Sequence, residues 1–126
     1  MIHNWTKYEP YFKSIEFCCR CCGKNEMQPE FLDSLYRLRK TYGRPIIISS
    51  GYRCPEYNER ISSTGRNGPH TTGLAADILC SGTEARVLLE LVVNEFPRIG
   101  IAQKGEHSTR FIHVDCLDKP GWVWSY

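Results

Sequence analysis

Short apolar runs alternating with helix-length periodic stretches constrain this chain more than any other feature of its sequence. Ile46-Ile47-Ile48, Ala75 to Leu79, Ile99 to Gln103 and Phe111 to Leu117 are too short for stable helices and read as strands, the first of them buried. A stretch opening near Pro29 carries Phe31, Leu32, Leu35, Leu38 and Tyr42 at helical spacing, and these should face the core. Gly43 and Pro45 stop it. A second helix is predicted from about Thr83 to Phe96, with Ser81 and Glu84 at capping-box spacing and an apolar stripe of Val87, Leu88, Leu91 and Val92. Ser49 to Arg53 reads as a turn, Pro55 to Ile61 as a short helix, and residues 62–69 as a loop. The pattern predicts an α+β fold, a small and mainly antiparallel sheet packed against helices. Residues 1–27, rich in aromatics and cysteines, are expected to form an irregular N-terminal layer, and residues 1–126 a single domain.

Charge narrows the partners. Sixteen basic and fourteen acidic residues leave a net charge of +2, and the basic residues are spread along the chain, which argues against nucleic acid. No apolar run is long enough to span a bilayer, so no membrane association is expected. The start, Met1-Ile2-His3-Asn4-Trp5, lacks the basic and apolar regions of a signal peptide. Synthesis in the cytoplasm without standard export is the corresponding expectation. Apolar residues make up 41% of the chain, enough for a packed core, but a domain this small has a thin stability margin that a bound metal would widen.

The sequence offers a separated set of zinc-type ligands. Catalytic zinc takes three protein ligands and keeps one position for water. His70 ends a glycine-rich loop, Asp77 follows in a strand, and His113 sits on a late strand. Gly73, Ala75 and Ala76 are small enough to let the backbone pass close to a metal and a substrate. Taken alone, the spacing favours a surface-loop histidine and a strand-end aspartate over a metal pair.

Whole segments carry more. Ser50-Gly51-Tyr52-Arg53-Cys54-Pro55 with Asn58, then His70-x-x-Gly73-x-Ala75-Ala76-Asp77-Ile78, then Phe111-Ile112-His113-Val114-Asp115 stand in order along the chain. Together they resemble the D-Ala-D-Ala carboxypeptidase family of zinc peptidases, metallopeptidase family 15. The ending Trp122 with Trp124-Ser125-Tyr126 resembles the family's usual ending, and Glu16-Phe17-Cys18 with the helix of Leu35, Leu38 and Arg39 resembles its phage-type branch. Lysostaphin-like enzymes and the N-terminal domain of hedgehog proteins share the wider α+β scaffold.

The resemblance implies a Zn2+ held by His70, Asp77 and His113, with Arg53 polarising the scissile carbonyl or holding the oxyanion. It implies a substrate among the stem peptides of bacterial peptidoglycan, cut at a D-Ala-D-Ala or an L-Ala-D-Glu bond, as in a phage lysin made in the host cytoplasm and acting at the wall. A metal-binding module of the same fold without catalysis is the alternative. Relatives place an acidic general base three residues before the last histidine, where this chain has Arg110, which never deprotonates. Asp115, on the same strand face as His113, is the first candidate for that role or for orienting a ligand; His107 and Glu106 in the preceding loop follow. Relatives also carry a serine where Gly68 stands, which bears on substrate specificity.

Seven cysteines leave at least one unpaired. Cys18, Cys19, Cys21 and Cys22 form two interleaved C-x-x-C pairs. Four ligands from so short a stretch would strain a tetrahedral site, so a zinc knuckle needs Cys54, Cys80 or Cys116 as partner. A local disulfide or buried free thiols is the preferred expectation.

Overall fold

The computed structural model describes residues 1–126. Helix α1 (Pro29–Tyr42) leads to strand β1 (Ile47–Ser50), the short helix α2 (Pro55–Ile61), strand β2 (Ala75–Leu79), helix α3 (Gly82–Glu95), and strands β3 (Arg98–Ala102), β4 (Phe111–Asp115) and β5 (Trp122–Ser125). The fold is the expected α+β type. Five strands form one sheet in the order β1-β2-β4-β3-β5, antiparallel except between β3 and β5. No helix is long and apolar enough to cross a membrane.

Period-two alternation divides the sheet into two chemistries. On β2 and β4, Ala76, Ile78, Ile112 and Val114 point into the core with Phe31, Leu32, Leu35 and Leu38 of α1 and Leu88 and Val92 of α3. Phe31 meets Phe96, just past α3, at 5.4 Å between ring centres. The intervening residues Asp77, His113 and Asp115 therefore share the opposite face. Register places Asp77 directly across from His113, and Gly100 on His113's other side.

Residues 1–27 pack as a layer with a short 3-10 turn at Ser14–Phe17. Trp5, Tyr8, Phe12 and Phe17 join the main core, with Phe17 against both Trp5 and Phe12. Main-chain bonds fasten the layer to the segments that carry the site: the Tyr52 N–H donates to Phe17 O at 2.9 Å and the Gln28 N–H to Gly73 O at 2.9 Å.

Several local expectations change. Side chains alternate faces along β1, the sheet's edge strand, so Ile46 and Ile48 are buried while Ile47 faces solvent. The buried stripe of α3 runs through Ala85, Leu88 and Val92, and Val87 is exposed. Ser81 precedes α3 but makes no side-chain cap bond. The tail forms β5, whose parallel pairing with β3 no local pattern announced.

Gly73 is small for a different reason than closeness to a metal. It takes a left-handed φ of 76°, and a Cβ there would stand 2.0 Å from the Glu26 carbonyl oxygen. The residue lets the N-terminal layer close over the start of β2. Gly73→Ala should destabilise the chain through left-handed strain of about 1–2 kcal/mol plus overpacking of about 1–3 kcal/mol. Denaturant unfolding checks this; an unchanged midpoint would show that the layer is not clamped there.

Candidate metal centre

Three separate segments deliver His70, Asp77 and His113 to one point. A 3-10 turn at Pro69–Thr72 carries His70, while β2 and β4 carry the other two. All three are buried, and their ligand atoms lie within 4.8 Å of one another. Asp77 Oδ1 is 2.9 Å from His113 Nδ1 and 3.2 Å from His70 Nε2.

Each ligand is also held from behind. The other ring nitrogen of His70, Nδ1, lies 2.8 Å from the Gly51 carbonyl oxygen. His113 Nε2 lies 2.8 Å from Asp115 Oδ2. Asp77 Oδ2 accepts from an Arg53 terminal nitrogen at 3.4 Å. Outer partners of this kind fix ring orientation and tautomer in metal sites, and the donor set of two imidazoles and a carboxylate suits a borderline divalent cation. Burial alone would raise the Asp77 carboxyl, but hydrogen bonds from His113 and His70 and their charge hold it far below the usual carboxylate range. Burial works to lower the His113 imidazole, yet Asp115 and Asp77 on its two sides raise it.

Arg53 follows β1 and is fixed on three sides. Its Nε donates to Ser50 Oγ at 2.9 Å and one terminal nitrogen to Asn58 Oδ1 at 3.0 Å, in addition to Asp77. Its partners are side chains, with no loop carbonyl among them. Three of the five N–H groups of a guanidinium are thereby used, leaving two for a ligand.

The candidates for proton transfer lie elsewhere than expected. Asp115 does share a face with His113, but it stands behind the ring, on the side away from the Nδ1 that meets Asp77. It is fully buried, accepting from Arg98 Nε at 2.9 Å and from the Leu117 N–H at 3.2 Å. The expectation that its carboxylate would lie beside the metal is therefore corrected: same-face placement brings it to the ring, and the ring separates it from the ligand atoms. Glu106 and His107 are exposed; His107 lines a separate depression with Tyr42, Leu79 and Glu84, and Glu106 lies outside the cleft at the metal centre. Arg110 braces its own loop by donating twice to the Gly105 carbonyl.

A cleft of about 710 Å³ opens over the three ligands and Arg53. Asp77 is the one carboxylate among its lining residues. Arg98, Lys119, Trp122, Trp124 and Tyr126 form one wall, and Ser62, Ser63 and Thr64 another. Sequence reasoning missed Arg98 and Lys119. Arg98 pairs with Asp115 across the β3–β4 register and lies 5.3 Å from the Trp124 ring, and only the register reveals it. Trp124 did have a signal, a glycine inside an apolar strand. A Cβ on Gly100 would stand 2.6 Å from Trp124 Nε1, so glycine lets the indole lie beside His113, 5.3 Å between ring centres. At Gly68 a Cβ would meet Thr64 Oγ1 at 2.1 Å, so a threonine hydroxyl crowds the place where relatives carry a serine.

The fold and the buried His-Asp-His cluster define an α+β protein with a candidate metal centre in an open polar cleft. A family model described as Peptidase M15 matches residues 10–115, and the chain belongs to that family. No curated protein matches the chain.

Proposed function

We propose that this chain is a zinc-dependent peptidase whose substrates are the stem peptides of bacterial peptidoglycan, in the manner of a phage lysin. The observation that carries the reading is the convergence of His70, Asp77 and His113, each braced from behind, next to a guanidinium with two unused N–H groups. A bound zinc ion supplies Lewis acidity and a water activated near neutral pH. Arg53, lining the cleft beside Asp77, would stabilise the negative charge that develops on a scissile carbonyl, and its fixed geometry would cost no reorganisation in the transition state. Arg98 and Lys119 give the cleft positive charge, which suits a peptide bearing free carboxylates. Trp122, Trp124 and Tyr126 give that side of the cleft aromatic faces for the apolar parts of a substrate to pack on.

Asp115 is a positioning residue in this reading, holding His113 with Nδ1 toward the ion. Asp115→Asn should weaken zinc binding by about ten- to a hundredfold, with activity restored by added zinc. Glu106→Gln and His107→Ala should leave turnover nearly unchanged, rather than lowering it by the roughly hundred- to ten-thousandfold of a lost general base. Activity measured against zinc concentration for all three decides the point. A metal-loaded but dead His107→Ala or Glu106→Gln would return the base to that loop.

One observation favours the second reading, a metal-binding module without catalysis. Asp77 is the lone carboxylate in the cleft and is itself a ligand candidate, so no separate acidic base faces the site. Digestion of purified cell wall, with and without a chelator, separates the two.

A further inference from the structure

A second convergence of ligand-type side chains lies outside the cleft. Cys19, Cys22 and Cys54 bring their sulfur atoms within 4.8 Å of one another. Cys19 and Cys54 are buried and Cys22 is exposed, and all seven cysteines are free thiols. Cys80 and Cys116, the other partners considered from sequence, lie apart from this group.

The local backbone is shaped around Cys19. Its N–H donates to Lys24 O at 2.7 Å, and Gly23 N–H returns to Cys19 O at 2.8 Å. Gly23, with a left-handed φ of 76°, closes a tight turn over Cys19-Arg20-Cys21-Cys22 and folds Cys22 back beside Cys19. Cys54 arrives from a distant segment, and its N–H donates to the Cys19 sulfur at 3.3 Å. A backbone N–H donor on the sulfur favours the thiolate, the ligand form of cysteine. A disulfide would pair two of these sulfurs and leave the third without a role. Three sulfurs from a C-x-x-C turn and the residue that caps α2, gathered at one point, suit an ion instead.

We propose that Cys19, Cys22 and Cys54 form a second, structural metal site for a thiophilic divalent cation, with zinc the best match to its ligands. Cys22 is the exposed member, so a fourth ligand such as water would complete the site from its side. The ion would staple residues 1–27 to the segment after β1. Because Cys54 adjoins Arg53, the staple would also hold in place the guanidinium that faces the cleft.

Reactivity of Cys22 in the full-length native chain tests this without mutation. Cys22 is exposed, so an alkylating reagent should reach it unless a metal holds its sulfur. In zinc-loaded protein its alkylation, mapped by mass spectrometry, should be at least about tenfold slower than after treatment with a chelator, because coordination ties up the thiolate. Equal alkylation with and without the chelator overturns the site, and so does a disulfide joining any of the three cysteines in protein purified with reductant. Cobalt gives a second readout. In a folded His70→Ala/His113→Ala variant, where the cleft can no longer compete, cobalt should produce the near-ultraviolet thiolate charge-transfer band, and adding Cys22→Ser should abolish it. A folded double variant with no such band overturns the proposal.

Discussion

His113→Ala is expected to lose the metal of the cleft and, with it, at least about a thousandfold in turnover, since that ion is what takes a water pKa from 15.7 to about 7. The residue is the hub of the site. One ring nitrogen meets Asp77 at 2.9 Å and the other meets Asp115 at 2.8 Å. Truncation removes a ligand and also unties Asp115, which keeps Arg98 as its partner. The fold should tolerate this better than the site does, because the hydrophobic core lies on the other face of the sheet. Total metal content is expected to fall by one ion per chain rather than to none, since the cysteine site is independent of His113. Elemental analysis of the folded variant reads both numbers. Full retention of metal would remove His113 from the ligand set.

Arg53→Ala is the second large effect, and it separates chemistry from metal binding. The side chain touches Ser50, Asn58 and Asp77, lines the cleft and keeps two N–H groups unused. Losing one preorganised donor to a developing oxyanion costs about a hundred- to a thousandfold in turnover. Zinc affinity should change far less, because Asp77 keeps both imidazoles as neighbours. The diagnostic pattern is a low turnover number at full metal occupancy. Turnover that stays within about twofold of the parent, against the loss expected for an oxyanion donor, would reduce Arg53 to a brace for Ser50 and Asn58.

Much of the architecture was legible because punctuation and period agree. Pro29 and Gly43 bound α1 as expected, and β2 and α2 match their sequence limits. The placement of Asp77, His113 and Asp115 on one sheet face followed from two-residue alternation alone. Other features depend on partners distant in sequence. Ile47 resembles Ile46 and Ile48 in every local property, and the face it takes on the edge strand β1 is what exposes it. Asp115 could be assigned to a face but not to one side of an imidazole, because ring orientation is set by Asp77 across the sheet and Arg98 on β3. The cysteines show the same limit. Interleaved C-x-x-C pairs cannot say whether Cys18 or Cys19 turns inward, and the choice is made where Cys54 meets the layer.

The central assignment is a zinc peptidase acting through His70, Asp77, His113 and Arg53. Purified cell wall digested with the metal-loaded protein tests it most directly, by following newly released amino groups. Release should proceed with the loaded protein, stop when a chelator strips the cleft, and resume on adding zinc. A folded, zinc-loaded protein that releases no amino groups from cell wall or from its isolated stem peptides would contradict the assignment and leave a metal-binding module in its place.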